Sequence, residues 1–462
     1  MYSEEETAKS DKKENPEIKA LKKKLFYERK NVLVEKGATA NRGADTLSKE
    51  YIKFLNAAKT ERNAVKYIIA ELEKNGFVPF NTHTKYYSGD KVYVNNRGKA
   101  VVAAVIGKKP VDRGVSILAA HIDSPRIDLK QVPLYESEGL ALFKTHYYGG
   151  LKKYQWTAVP LSLQGTVTTA NGNIDVNIGE LDTDPVFVIT DLLPHLSQEQ
   201  DKRTGNQLIK GEELNILTGS VPYLYSDEKD AVKLNILNLL NIKYGITEAD
   251  FISAELSAVP AFKAREAGLD RSFVAGYGQD DRVCAYIELA ALINASNATP
   301  DYTAVAVFAD KEETGSNGNT GLQGAYLKNF IADLGRSLGA ANARSIFANS
   351  LCLSADVNAA FDPTYPDVLE KNNAVYIGKG AAVTKFTGSR GKYGTSDASA
   401  ETVGRIRKLF DENGIVWQTG ELGKVDNGGG GTVALHIAEL DVDTIDIGVP
   451  VLSMHSPYEV TA

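Results

Sequence analysis

The 462-residue chain is 43% hydrophobic, enough for a large core, and a single core stops growing near about 250–300 residues, so more than one domain is expected. A formal net charge of -7 supplies no broad basic footprint, so nucleic acid is not an expected partner. No run reaches about 18 apolar residues, which excludes a membrane span, and residues 1–30 lack the apolar core of a secretory signal, so the expected address is the cytoplasm.

Near the N-terminus, acidic residues 4–6 give way to lysines 22–24, which read as a solvated helix face. Ile52, Leu55, Val65, Ile68, Ile69 and Leu72 recur at helical spacing and predict one amphipathic helix over 49–75, stopped at Asn75-Gly76. Apolar runs 101–106 and 115–120 read as buried strands, the second leading directly into His121-Ile122-Asp123. From about 132 the texture changes. Alternation over 165–169 and 174–178, with turns such as Asn171-Gly172, predicts β structure without metal-ligand spacing. Residues 132–267 are read as an inserted, mainly-β domain that splits the rest of the chain into 1–131 and 268–462. Beyond it the pattern predicts a helix at 283–295, a strand at 302–309 ending in Asp310 and a helix at 322–338. A strand at 351–355 ending in Asp356, a helix within 395–412 and a last strand at 444–449 before His455 follow. Strands alternating with helices predict an α/β layered fold.

The chemistry gathers at strand exits, the edge where open α/β sheets bind ligands. His121 with Asp123, Asp280-Asp281, Glu312-Glu313, Asp356 and His455 all occupy such positions. They are hard or borderline ligands that suit zinc. Cys284 and Cys352 lie inside apolar runs and read as buried thiols. Without a CxxC pair, any metal must be held by histidine and carboxylate. Two ions with three protein ligands each would need six contacts, and five residues suffice if one carboxylate bridges.

These residues also carry a resemblance. Ala120-His121-Ile122-Asp123-Ser124-Pro125, Asp280-Asp281, Glu312-Glu313-Thr314-Gly315-Ser316, Ser354-Ala355-Asp356 and Met454-His455-Ser456 resemble, in order, the metal motifs of the aspartyl aminopeptidase and vacuolar aminopeptidase I family. Tyr147-Tyr148-Gly149-Gly150 and Trp156 resemble the opening of its inserted domain. The resemblance runs from about residue 50 to the end. It implies a mixed-sheet zinc-peptidase domain with helices on both faces, and two Zn2+ per subunit, with Co2+ or Mn2+ as substitutes. His121 and Asp356 would hold one ion, Glu313 and His455 the other, and Asp280 would bridge, with a cis peptide before Asp281. Glu312 would be the general base. Asp123 would accept a hydrogen bond from the His121 ring and fix its tautomer. The metals would activate a water and hold the free α-amine of a peptide substrate, restricting cleavage to the N-terminal residue.

His195 resembles a family histidine that reaches a neighbouring subunit's site. Lys385, Arg390, Lys392 and Tyr393, among glycines 388, 391 and 394, resemble its substrate loop. By resemblance the assembly is a homododecamer built from dimers, with 132–267 as the oligomerisation domain that forms the main dimer contact and 1–131 with 268–462 as the catalytic domain. The glycines at 428–431 precede no Gly-Lys-Ser/Thr and read as a tight turn near the metal site, not a phosphate cradle. The chain departs from the family at Val357 to Asp362, where histidines are usual, at Asp281 and at Ala158-Val159. A dinuclear-zinc deacylase or carboxypeptidase is the enzyme alternative. A non-catalytic scaffold or cargo protein is the alternative of another class, disfavoured because a structural zinc site needs no free base such as Glu312.

Overall fold

The computed structural model describes residues 15–462, apart from the side chains of residues 39–41. The acidic residues 4–6 lie outside that range. Lysines 22–24 sit on Pro16–Leu25, a helix with no buried residue. Among the described residues no helix is long and apolar enough to cross a membrane.

Thr303–Ala309, Val115–His121 and Leu351–Ser354 are neighbouring parallel strands, with Asp443–Gly448 parallel beside the last. Strands covered on both faces are built from near-continuous apolar runs, and Thr303–Ala309 is of this kind. Ala100–Val105 and Lys91–Asn96 add antiparallel on one side and Ala381–Thr384 on the other, within a nine-stranded mixed sheet. Successive side chains leave opposite faces. Val101, Ala103, Ala306 and Phe308 pack under the helices Val32–Ala57, Glu61–Lys74 and Gln279–Ala295. Val102, Ala104, Val305 and Val307 pack under Tyr326–Ser337 and Ala343–Ala348. Helices therefore cover both faces.

The single helix expected over 49–75 is two, Val32–Ala57 and Glu61–Lys74. The Thr60 side chain accepts the Asn63 N–H and starts the second as its N-cap. The expected stop holds, with Asn75 as C-cap and Gly76 at φ 83°. Tyr326–Ser337 starts later than residue 322, because Leu322 is buried in the turn that precedes it. Asp443–Gly448 is not the last strand before His455, since Pro450–Leu452 intervenes.

A seven-stranded antiparallel sheet interrupts this layout, from Arg126–Ser137 to Ala254–Pro260. It has its own core around Phe143, Trp156, Leu163 and Val167. Arg265–Ala267 belongs instead to a third, five-stranded sheet with Phe273–Gly276, Glu459–Thr461, Pro450–Leu452 and Asn358–Ala359. That small sheet carries the approach to His455.

Candidate metal centre

Parallel neighbours end at a common sheet edge. His121 closes its strand as the register partner of Ala309, so the chain leaving Ala309 through Asp310 reaches Glu312-Glu313 beside it. Leu351–Ser354 flanks the same strand on its other side, and the Ala355 N–H donates to the Ala119 carbonyl at 2.6 Å, which delivers Asp356. Asp280 and Asp281 stand at the head of Gln279–Ala295 in non-helical conformations, joined by a cis peptide. His455 arrives from the small sheet.

The five residues meet. Potential ligand atoms of His121, Asp280 and Asp356 lie within 4.8 Å of one another, as do those of Asp280, Glu313 and His455. Asp280 belongs to both groups and turns one oxygen to each. Its Oδ1 is 3.0 Å from His121 Nε2 and its Oδ2 is 3.0 Å from His455 Nε2. Glu313 Oε1 lies 3.5 Å from His455 Nε2. Ligand bonds of about 2.0–2.2 Å on a tetrahedral ion place ligand atoms about 3.3 Å apart, so this spacing fits zinc. His121 Nε2 and Glu313 Oε1 are buried without a hydrogen-bond partner, an expensive state for polar atoms unless something else binds them.

Both rings are set for the same task. His121 Nδ1 meets the Asp123 carbonyl at 3.0 Å and His455 Nδ1 meets the Gly150 carbonyl at 2.7 Å. A carbonyl only accepts, so each Nδ1 carries a proton and each Nε2 faces inward, where a cation would take the place of its proton. Asp123 thus accepts from the His121 ring, as expected, and does so through its main-chain oxygen; Oδ1 stands farther from the ring, at 3.3 Å. The carboxylate is otherwise engaged. It accepts the Tyr148 hydroxyl at 2.7 Å and the N–H groups of Glu312 and Glu313 at 3.2 Å each. Asp123 therefore holds the glutamate pair. Asp123→Asn, which sets an amide NH2 against these donors, is expected to lower kcat by about 10–100-fold with metal content retained; unchanged kcat would remove this role.

The site carries surplus negative charge. Burial raises Glu313 and Asp356 well above the usual carboxylate range, reinforced by neighbouring Asp280 and Asp281 respectively. Glu312 is pushed up to about 7, by burial first and then by the charges of Asp123 and Asp280. Burial opposes the same charging in His455, but Asp280 and Glu313 outweigh it and push the ring up to about 10. Burial also resists the charge on Asp280, yet His121 and His455 hold it below the usual range. A cluster so rich in buried carboxylate calls for cations.

Two supports were not read from the sequence. Buried Glu459 accepts the His455 N–H at 2.7 Å and the Gln279 N–H at 2.5 Å; the available signal was an acidic residue in an apolar C-terminal stretch four positions after His455. Tyr148 and Gly150 reach the site from the seven-stranded sheet. Gly149 between them, at φ 73°, is needed because a Cβ there would stand 3.3 Å from Glu313 Oε2.

A cavity of about 800 Å³ opens beside His455, lined in part by Gly150, Tyr365, Leu422, Gly428 and Gly429. The glycine turn thus packs near the site, and the Gly430 N–H supports Thr387 of the basic loop at 2.9 Å. None of His195, Lys385 and Tyr393 lines this cavity. His195 is exposed on a loop of the seven-stranded unit. Lys385 and Lys392 both pair with Asp397, and Tyr393 is exposed while its backbone pairs with Ser389. Cys284 and Cys352 are buried free thiols.

The sequence profile of aminopeptidase I zinc metalloproteases (M18) matches residues 54–462. The chain belongs to the M18 family. A probable M18 family aminopeptidase 1 of Clostridium acetobutylicum is 48% identical over 424 residues, which cover 90% of this chain and 91% of the relative. The crystal structure of an M18 aminopeptidase from Thermotoga maritima aligns with a TM-score of 0.90 at 45% identity, over 95% of this chain and 96% of that one. The yeast mApe1 dodecamer shares the fold, with a TM-score of 0.73 at 21% identity over 91% of this chain and 93% of that one. M18 membership makes the protein a metalloprotease of the aminopeptidase type.

Proposed function

We infer that the chain removes the N-terminal residue of peptides with a pair of divalent cations, zinc first. His121 and Asp356 hold one, Glu313 and His455 the other, and Asp280 is shared. The observation that carries this reading is the placement of the two Asp280 oxygens, each 3.0 Å from a different histidine nitrogen. Cobalt and manganese suit the same donors. When bound, the cations lower the pKa of a water and polarise the scissile carbonyl. Glu312, outside both Asp280 groups, accepts the proton of that water and returns it to the leaving amine. The test is a panel of aminoacyl peptides with free and N-acetylated termini. Cleavage of free-amine substrates alone supports the reading, and preferential release of acyl groups or C-terminal residues replaces it with the deacylase or carboxypeptidase alternative. Metal binding without turnover of any peptide would favour the scaffold.

Metal binding must compete with protons. In the metal-free chain burial pushes Glu312 to about 7, Glu459 to about 8 and Asp446 to about 6. A carboxyl raised on folding contributes stability that is fully present below its unfolded pKa of about 4 and is lost as pH rises through the folded value. His455, raised to about 10, acts in the same direction at higher pH. Cations require the deprotonated forms. The Tm of the metal-free chain is therefore expected to fall from about pH 5 to about pH 8, and the gain in Tm on adding zinc to grow over that interval. A zinc gain independent of pH would show that the ions bind without displacing protons from this cluster.

The same reading makes the protein a cytoplasmic homododecamer, with the seven-stranded unit as the main subunit contact. The support is apolar surface. Helix Ala231–Tyr244 leaves Leu234, Leu239 and Ile242 exposed, and Leu224 and Tyr225 beside it are 79% and 89% exposed. Patches of this kind mark interfaces. Ile242→Glu is expected to reduce the mass seen by light scattering; a wild-type monomer at micromolar concentration would refute the assembly, along with any action of His195 in a neighbouring site.

A further inference from the structure

We propose that Glu459 is a positioning residue that locks together the Asp280 and His455 half of the centre. This rests on the metal reading above. Glu459 opens the C-terminal strand Glu459–Thr461 and is 1% exposed. Its carboxylate spans two chain segments that lie far apart in sequence. Oε1 accepts the His455 N–H at 2.7 Å, while Oε2 accepts the N–H groups of Gln279 at 2.5 Å and Asp280 at 3.2 Å. The two residues whose backbones it grips are those whose side chains meet at Asp280 Oδ2 and His455 Nε2.

The grip is anchored and directional. The Gln279 side chain donates to the Glu459 and Val274 carbonyls at 2.9 and 2.8 Å and accepts the Tyr51 hydroxyl at 2.9 Å. This ties the clamp to helix Val32–Ala57. His455 has φ 64°, a left-handed conformation that a non-glycine residue keeps only where its surroundings enforce it. The bond that Glu459 accepts from its N–H supplies that constraint. His121 and Asp356 receive no bond from the Glu459 carboxylate and are placed by sheet register instead. The clamp therefore acts on one half of the centre.

The test is zinc titration of the full chain against a chromophoric chelator, resolving two affinities per subunit, with the Tm of each metal-free variant. Removing a partner that orients metal ligands costs about 10–100-fold in affinity. Glu459→Ala is expected to weaken one site by that factor and leave the other unchanged. Glu459→Gln keeps one acceptor oxygen and should fall between. Thr461→Val, on the strand of Glu459, deletes a 2.8 Å bond to the Pro450 carbonyl of the neighbouring strand and should leave both affinities unchanged. Should Glu459→Ala fail to fold, the Gln variant carries the same comparison. Equal weakening of both sites in step with Tm, or no weakening of either, overturns the clamp while the metal reading stands. A wild-type chain that binds fewer than two ions overturns the metal reading itself, and the clamp with it.

Discussion

Glu312→Gln is expected to lower kcat by about 10²–10⁴-fold, the usual contribution of a general base, with zinc content unchanged. Glu312 heads the short turn Glu312–Thr314, and its N–H is fixed by Asp123 Oδ1. Its Oε2 stands 3.8 Å from His121 Nε2, near the centre but outside both groups that share Asp280. A proton acceptor needs this position, close to the water and not consumed as a ligand. Its pKa of about 7 without metal lets it take and return a proton near neutrality, and bound cations would lower that value. Glutamine keeps the shape and removes the basic oxygen. The opposing arrangement is a second grouping of His121, Glu312 and Glu313, in which Glu312 binds metal. Loss of zinc in step with kcat would select that arrangement. Near-normal kcat would move the base elsewhere, with Asp123 the first alternative.

The catalytic sheet was legible in the sequence because its central strands are apolar runs that end abruptly in polar residues. His121 and Asp356 could be read from that break alone, and register does the rest. Spatial neighbours far apart in sequence were less legible. Asp280 and His455 come from a helix head and a small sheet whose strands span only two to four residues, too short to show a period. Their pairing came from motif order, not from physical pattern. Glu459 escaped because its function is to accept backbone N–H groups, which have no sequence signature. The break before Thr60 was hidden by apolar residues that keep helical spacing on both sides of it. For Lys385 and Lys392 the charge was visible, but their shared partner Asp397 was not weighed. Tyr148 and Gly150 connect the seven-stranded unit to Asp123 and His455, so the unit proposed for assembly also braces both ends of the site.

Asp280→Asn has the broadest expected effect on metal binding. His121→Ala and His455→Ala should each remove one ion and leave the other, because each histidine belongs to one of the two groups that share Asp280. Asp280 belongs to both. Its two histidine neighbours hold it ionised throughout the working range, so the wild-type carboxylate offers a negative oxygen to each side. Asparagine offers one neutral oxygen and, on the other side, an NH2 group that can only donate. Whichever way the amide turns, one ion loses a ligand and the other loses charge. Orienting partners that do not touch a metal already contribute about 10–100-fold in affinity. A shared ligand should exceed this, so zinc affinity is expected to fall at least about 100-fold at one site and measurably at the other. Activity should fall with it. Residues that act through one shared group are non-additive, so adding His455→Ala to Asp280→Asn should cost less than the sum of the single losses. Two zinc ions bound with wild-type affinities in Asp280→Asn would reduce the contacts of Asp280 with His121 and His455 to ordinary ion pairs, and the shared-carboxylate centre would have to be abandoned.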